Sequence, residues 1–220
     1  MSKVKTLSQL EQVVSKELSW RKKELHNVKS LLNQHAASYL EPVLLRSAIA
    51  VLYAHWEGFI KSVGKAYLEF VSRQKLAHEE MQDCFVALAL HQEMSAAEGT
   101  GGIESRIRVV DIFRRRMSTR SKIAYENRVS TKSNLSSRVL NNITRMLGLD
   151  FSPYETKSKL IDEQLLRNRN SIAHGEYLIV DAEEYNGIHE EILSLIDVFG
   201  TQIMNAATQG TYKAAQAMQL

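Results

Sequence analysis

Apolar residues recur at three- and four-residue intervals along most of the chain, which is the spacing of amphipathic helices. The pattern predicts an all-α bundle of five to seven helices. The predicted helical segments lie at about residues 8–35, 42–74, 77–96, 104–117, 135–147, 156–173 and 182–207. The apolar stripe of the second segment is the widest, so we expect that helix to lie at the centre of the bundle.

Polar and glycine-containing stretches separate these segments. Residues 98–102, Glu-Gly-Thr-Gly-Gly, form the clearest break, and residues 118–134 are predicted to be a polar loop. Asn134 is the predicted N-cap of the fifth helix, and Gly175 stands where a C-terminal glycine cap belongs. We therefore predict one domain over residues 1–220, with residues 99–150 as an insertion into the bundle.

Composition excludes several classes of protein. Cys84 is the only cysteine, so no internal disulfide can form and no thiol-rich zinc site is available. The apolar run at residues 47–54 is too short to cross a bilayer, and the basic N-terminus does not have the pattern of a signal peptide. No glycine-rich phosphate loop or serine nucleophile elbow is present. We expect a cytoplasmic protein that needs no metal, cofactor or membrane.

Basic residues are concentrated in the middle of the chain, although the net charge of the whole chain is only +3. Between residues 106 and 145 the acidic residues are Asp111 and Glu126. The basic residues there are Arg106, Arg108, Arg114, Arg115, Arg116, Arg120, Lys122, Arg128, Lys132, Arg138 and Arg145. This asymmetry indicates a polyanionic partner, and a solvated arginine-rich surface is the alternative interpretation.

The segment richest in chemistry is Arg169-Asn170-Ser171-Ile172-Ala173-His174, at the end of the sixth predicted helix. Arg169 and Asn170 lie about one turn before His174, so the three side chains can converge on one ligand. Arginine binds phosphate with a planar, permanently charged fork, and histidine exchanges protons near neutral pH. The pattern favours a phosphate-directed site. The alternative is that the two side chains only complement the C-terminal helix dipole.

Two segments together resemble the HEPN superfamily. The string from Arg169 to His174, followed by Gly-Glu, resembles its signature of an arginine, a polar residue, a spacer and a histidine at the end of a bundle helix. The segment from Leu52 to Lys61, Leu-Tyr-Ala-His-Trp-Glu-Gly-Phe-Ile-Lys, is similar to an early helix of a prokaryotic defence and toxin-type branch. The resemblance covers residues 41–74 and 156–203. It implies a HEPN-like up-and-down helical bundle, here with a basic helical insertion.

The resemblance also implies an activity, that of a metal-independent endoribonuclease acting as a toxin or anti-phage defence effector. The RNA 2′-hydroxyl would attack the adjacent phosphate, leaving 2′,3′-cyclic phosphate and 5′-hydroxyl ends. His174 would be the general base or acid, Arg169 would stabilise the phosphorane, and Asn170 would orient one of these groups. Glu57 would be a further polar group in the cleft. A homodimer with a composite active site is implied, and an antitoxin or defence-system protein is a candidate partner.

Substrate-binding residues are predicted around this centre. Arg167 lies two helical turns before His174 and shares its face. The candidates in the basic region are Arg114, Arg115, Arg116 and Arg120. Glu57 has an alternative role, which is to pair with Arg167 or Arg169.

Tyr177 and the overall function leave alternatives open. Some HEPN toxins carry a modifiable tyrosine two residues after the histidine, but Tyr177 stands three residues after His174, so we expect it to pack or to lie at the cleft edge. A non-catalytic HEPN module that binds RNA, a nucleotide or a partner protein is the alternative function. A purely structural helical protein is the third.

Overall fold

A computed structural model describes residues 3–98 and 102–215, and in these ranges the chain forms eight α-helices and no β-strand. The helices are α1 (Leu7–Gln34), α2 (Glu41–Arg73), α3 (Asp83–Glu98), α4 (Gly102–Arg116), α5 (Ser137–Met146), α6 (Ser152–Glu155), α7 (Asn168–Ala173) and α8 (Ala182–Gln209). A 3₁₀ turn at His78–Glu80 precedes α3, and a π-helix at Leu160–Arg167 leads directly into α7. The predicted all-α fold is confirmed, although the described ranges hold eight α-helices rather than five to seven, because the short α6 lies outside the predicted segments.

Four long segments form an up-and-down bundle in the chain order α1, α2, π-helix with α7, and α8. Side-chain contacts across the bundle show that each segment runs opposite to the one before it. The contacts that fix these directions are Arg21–His55 (3.3 Å), Gln74–Lys5 (3.3 Å), Lys22–Asp197 (2.7 Å), Lys29–Glu190 (3.1 Å), Tyr154–Gln202 (2.7 Å) and Asn168–Glu184 (3.4 Å). The up-and-down arrangement is therefore the one expected.

Helix α2 lies at the centre because apolar side chains cover most of its circumference. Trp56 and Phe59 are fully buried, and the Phe59 ring meets Phe199 of α8 edge-on with 6.3 Å between ring centres. By length and composition α2 would also be able to cross a membrane. However, half of its most apolar stretch is buried inside the fold, as is usual for a core helix.

The middle of the chain packs against the second half of α2 and shares its core. Leu135, Leu140 and Leu147 belong to the same apolar cluster as the bundle helices. The loop between α4 and α5 runs back along α2, where a Cβ at Gly64 would lie 3.3 Å from Val129 and from Leu147. That residues 99–150 are an insertion stays a prediction. Most of the predicted break at residues 98–102 lies outside the described residues.

Three local predictions need correction. The third predicted helix, 77–96, is a 3₁₀ turn followed by α3, and the sixth, 156–173, contains a π-helix. The N-cap of α5 is Ser136 rather than Asn134, because the Ser136 hydroxyl accepts the backbone N–H of Val139. The Asn134 side chain makes a contact to Asn170 instead.

Candidate active site

The Arg169–His174 motif lies on α7, which continues the π-helix without a break. In the π-helix the backbone pairs residues i and i+5, which shifts the faces of the helix relative to an ordinary α-helix. Ile161 and Leu165 are fully buried and anchor this segment to the bundle. Such π-segments are rare and occur often at functional sites. Here the π-helix sets the direction in which the side chains of Arg169 and Asn170 project from α7.

Gly175 ends α7 in the way that the sequence predicts. Its φ of +74° is left-handed, a conformation that glycine adopts without strain. The N–H of Gly175 donates to the Ile172 carbonyl (3.1 Å) and that of Glu176 to the Ser171 carbonyl (2.9 Å). These two bonds form a Schellman cap. The cap leaves His174 as the C-cap residue directly after α7, with its side chain exposed to solvent.

Arg169 is held on two sides. Its guanidinium carbon lies 3.9 Å from the centre of the Tyr53 ring on α2, a stacked cation–π contact, and one terminal nitrogen donates to the Ser133 carbonyl. The Arg169 Nε is buried and has no hydrogen-bond partner among the described residues. The guanidinium is therefore fixed in orientation while one N–H remains unsatisfied.

Tyr53 is buried and connects α2 to the loop before α5. Its hydroxyl accepts the backbone N–H of Leu135 at 2.7 Å. Burial raises the pKa of Tyr53, and the carboxylate of Glu57 acts in the same direction, whereas the bonds to Leu135 and Arg169 act against it. The phenol is thus held in its neutral form under Arg169, and its hydroxyl donates to the Ser133 carbonyl at 3.4 Å.

Asn170 and Glu57 contact the same loop as Arg169. The Asn170 amide donates to the Asn134 side-chain oxygen (3.3 Å), and the Asn170 backbone carbonyl accepts the N–H of His174 (2.9 Å). Glu57 accepts the hydroxyl of Thr131, which is buried. Within the described ranges Glu57 forms no salt bridge, so the alternative role, a pairing with Arg167 or Arg169, is not observed.

The loop at residues 131–135, here called the clasp loop, was not predicted as part of the site. Lys132 and Ser133 have φ of +49° and +62°, which is uncommon for residues with a Cβ. Such strained backbone occurs often at functional sites and persists only where its surroundings hold it. Here four groups hold the loop, namely Glu57, Arg169, Asn170 and the Tyr53 hydroxyl. Sequence spacing could not reveal these contacts because the loop lies 36 residues before Arg169 and Asn170.

Arg46 is a second basic residue at the motif that sequence analysis missed. Its terminal nitrogen donates to the Glu176 carbonyl (3.1 Å), and its Nε is buried without a partner in the described part of the chain. Arg46, Tyr53 and Glu57 are spaced by seven and four residues, so they form one polar row on α2. That row on a largely apolar helix was the available signal.

The other residues of the Leu52–Lys61 segment serve the bundle. A Cβ at Gly58 would lie 2.8 Å from the Arg21 guanidinium, so glycine makes room for this buried arginine of α1. His55 is buried beside Glu24, with 3.3 Å between Nε2 and the carboxylate, and burial lowers the pKa of His55. In this segment Tyr53 and Glu57 face the motif, and the residues around Gly58 support α1.

The predicted substrate-binding arginines fall into two groups. Arg167 is exposed at the end of the π-helix, immediately before α7. The remote group is Arg114, Arg115, Arg116 and Arg120. The backbone at Arg120 pairs with Ala77, just beyond the C-terminal end of α2. Because α2 rises about 1.5 Å per residue, this end is about 30 Å from Tyr53, and the remote group is not brought to the motif within one chain.

Other groups at the motif add little. Tyr177 is 87% exposed, so it does not pack against the described part of its own chain. No set of three or more histidine, cysteine or acidic side chains is arranged for a metal in the described ranges. An open groove of about 300 Å³ runs beside the clasp loop and is lined by Arg128, Lys132 and α5.

The sequence model of the RiboL-PSP-HEPN family matches residues 16–205. The chain therefore belongs to this HEPN family. The match includes most of α1 and the middle helices as well as the two segments that carry the resemblance. Membership indicates an RNase-type or RNA-related function. Neither the search of curated proteins nor the search of solved structures gives a match.

Proposed function

We propose that this HEPN-family protein is a metal-independent endoribonuclease that leaves 2′,3′-cyclic phosphate and 5′-hydroxyl ends. The observation that carries the proposal is the end of α7, where an oriented Arg169 guanidinium is followed five residues later by an exposed His174 imidazole. We further propose that it acts in the cytoplasm as a toxin or an anti-phage effector.

His174 is proposed to move the proton. In the first half of the step a base takes the proton of the RNA 2′-hydroxyl, and the 2′-oxygen forms a bond to the adjacent phosphorus. The bond from phosphorus to the 5′-oxygen then breaks, and an acid returns a proton to that oxygen. Attack and departure occur on opposite sides of the phosphorus, so one imidazole cannot serve both at once. A second copy of the chain would supply the other histidine, which is the composite homodimeric site.

Arg169 is proposed to stabilise the phosphorane. A guanidinium fixed by the Tyr53 ring does not have to reorganise when negative charge develops on the phosphoryl oxygens. Its bond to the Ser133 carbonyl leaves other N–H groups for phosphate, since the guanidinium has five. Asn170 and Glu57 are proposed to hold the clasp loop that carries this carbonyl, and Asn170 also bonds the backbone of His174.

The RNA path is proposed to pass between Arg167 and the groove beside the clasp loop. Arg128 and Lys132 line that groove, and both can neutralise phosphates without reading bases. The remote group at residues 114–120 would reach only RNA that extends about 30 Å from the cleavage point. Its predicted role in holding substrate stays a prediction.

One observation favours a second candidate, a non-catalytic module that binds RNA or a nucleotide. Arg169 is half-buried and already bonded to Ser133, which is what a structural or purely phosphate-binding arginine would show. This candidate requires Arg169 for RNA binding. It predicts that the RNA stays uncut whether or not His174 is present.

The deciding experiment compares wild type with His174→Ala and Arg169→Ala on RNA in EDTA, with end-group analysis of the products. Matched controls are His91→Ala and Arg145→Ala, which remove the same residue types from exposed positions elsewhere. We expect cyclic phosphate ends with wild type and both controls, and loss of at least about 100-fold in the two motif variants. Cleavage that persists in His174→Ala would contradict the proposal. Binding without cleavage by wild type would support the second candidate.

A further inference from the structure

Helix α4 is apolar on two opposite faces, and one of them has no neighbour in the described part of the chain. The inner face packs on α3, where Ile112 contacts the core and the Ser105 hydroxyl donates to the Ala97 carbonyl. The outer face carries a row of apolar residues at four- and three-residue intervals, here called the α4 stripe. It consists of Ile103 (61% exposed), Ile107 (53%), Val110 (47%) and Phe113 (36%).

Two arginines lie within the α4 stripe rather than beside it. Arg106 follows Ile103 by three residues and precedes Val110 by four, and Arg114 follows Val110 by four. The two are eight residues apart, which is about 12 Å along the helix. Neither forms a salt bridge within the described ranges, whereas Arg116 binds Glu93 at 3.0 Å. The stripe therefore combines exposed apolar surface with unneutralised positive charge.

An exposed apolar row of this kind marks an interaction surface. The positive charge within the α4 stripe distinguishes between the possible binding partners. A second copy in a symmetric contact would set the arginines of one α4 against those of the other. RNA would satisfy the arginines but has little use for Ile103, Ile107 and Val110, because bases stack on aromatic rings and guanidinium groups. A membrane would draw Arg106 and Arg114 into its acyl layer together with the apolar residues.

An acidic amphipathic helix satisfies every part of the α4 stripe. Its apolar side chains would pack between Ile103, Ile107 and Val110 as in a helix pair, and its carboxylates would meet the two arginines. We propose that the α4 stripe is the docking site for an acidic amphipathic helix of another protein. The α4 stripe lies on a different helix from Arg169 and His174 and needs neither residue, so this inference is independent of the proposed ribonuclease activity.

The test uses the full chain and a labelled helical peptide with leucine at its core positions and glutamate flanking them. A scrambled peptide of the same composition measures charge attraction alone. The variants are Ile107→Ser, which changes only the apolar row, and the double change Arg106→Glu with Arg114→Glu. The matched control is Arg115→Glu, which reverses an exposed charge outside the stripe, where Arg115 faces Asp111 at 3.7 Å. Binding is followed by fluorescence anisotropy, and folding of each variant by circular dichroism.

We expect the ordered peptide to bind at least tenfold more tightly than the scrambled one. Ile107→Ser and the double variant should each weaken binding at least tenfold, and Arg115→Glu should change it less than threefold. Equal affinity for the two peptides would overturn the proposal. Two results with other ligands, obtained where the peptide does not bind, would also overturn the proposal. Binding of single-stranded RNA that is weakened by the double arginine variant but not by Ile107→Ser would assign the face to RNA. Binding to phosphatidylserine vesicles that is lost in Ile107→Ser would assign the face to a membrane.

Discussion

Arginine is present near both ends of α2, in two contrasting environments. Near the N-terminal end Arg169 is half-buried, stacked on Tyr53 and bonded to Ser133, and its Nε has no partner among the residues that the structure describes. Beyond the C-terminal end α4 presents several arginines to solvent, and the side chain of Arg115 is 80% exposed. The first environment holds one charge in a fixed position, and the second gathers many charges that can move.

The contrast separates two uses of positive charge. A fixed guanidinium can stabilise a transition state because its orientation is set before charge develops on the substrate. Mobile surface charges attract and retain a polyanion or an acidic surface, but solvent and salt screen them. The number of arginines in a segment therefore says little about catalysis. The contacts that restrain a single arginine are more informative.

The largest expected effect is that of replacing the fixed charge without removing it. Arg169→Lys keeps the positive charge but loses the planar fork and its contact with the Tyr53 ring. We expect RNA cleavage to fall about 100-fold, as for the loss of one preorganised donor. Arg114→Ala, which removes a charge from α4 altogether, should change cleavage of a short RNA less than twofold. Similar losses in the two variants would break the distinction between fixed and mobile charge.

The next effect separates the ring of Tyr53 from its hydroxyl. Tyr53→Phe keeps the surface under Arg169 but leaves the Leu135 N–H without its acceptor, at a cost of about 1–3 kcal/mol of unfolding free energy. Cleavage by Tyr53→Phe should remain within about threefold of wild type. Tyr53→Leu removes both groups, so cleavage should fall about tenfold in addition to the loss of stability, because misplaced groups catalyse poorly.

Denaturant unfolding and single-turnover cleavage of the two Tyr53 variants provide the measurements. If both variants lose activity only in proportion to the fraction unfolded, Tyr53 is structural and does not position Arg169.

Much of this contrast was predictable, but not all of it. The helices follow from local periodicity, and the Gly175 cap follows from a local need for positive φ. The π-helix was not predicted, because an i+5 pairing leaves an apolar pattern close to that of an α-helix. The row of Arg46, Tyr53 and Glu57 could have been found from spacing on a helix that was itself correctly predicted.

Contacts distant in sequence determine what residue type and spacing leave open. Asn134 has the residue type of an N-cap, but its side chain contacts Asn170 and Ser136 caps α5. The prediction that the basic residues 114–120 lie at the substrate rests on charge density. Charge density carries no information about position in the fold. The fold places them beyond the far end of α2. Residue type and spacing identify candidates, and only the tertiary packing selects among them.

A prediction of smaller effect is that the clasp loop is held in a strained conformation that positions Arg169. Ser133 has φ of +62°, so Ser133→Gly should relieve backbone strain and raise the unfolding free energy by about 0.5–1 kcal/mol. Cleavage should fall two- to threefold, because the carbonyl that accepts from Arg169 is held less rigidly. Ser118→Gly is the matched control in the same connection without a positive φ, and it should be neutral or destabilising. A destabilised Ser133→Gly would show that the loop carries no such strain.

The smallest expected effect concerns salt. Each phosphate contact to single-stranded RNA contributes about 0.7 to the slope of log binding constant against log salt concentration. A three-nucleotide RNA is too short, even when extended, to span the roughly 30 Å between Tyr53 and the far end of α2, where residues 114–120 lie. With this RNA, Arg167→Gln should lower the slope by about 0.7, and Arg114→Gln should leave it unchanged. A lower slope in Arg114→Gln would mean that α4, from the same or a second copy, reaches the cleft. The mobile charges would then act on the same RNA as the fixed one.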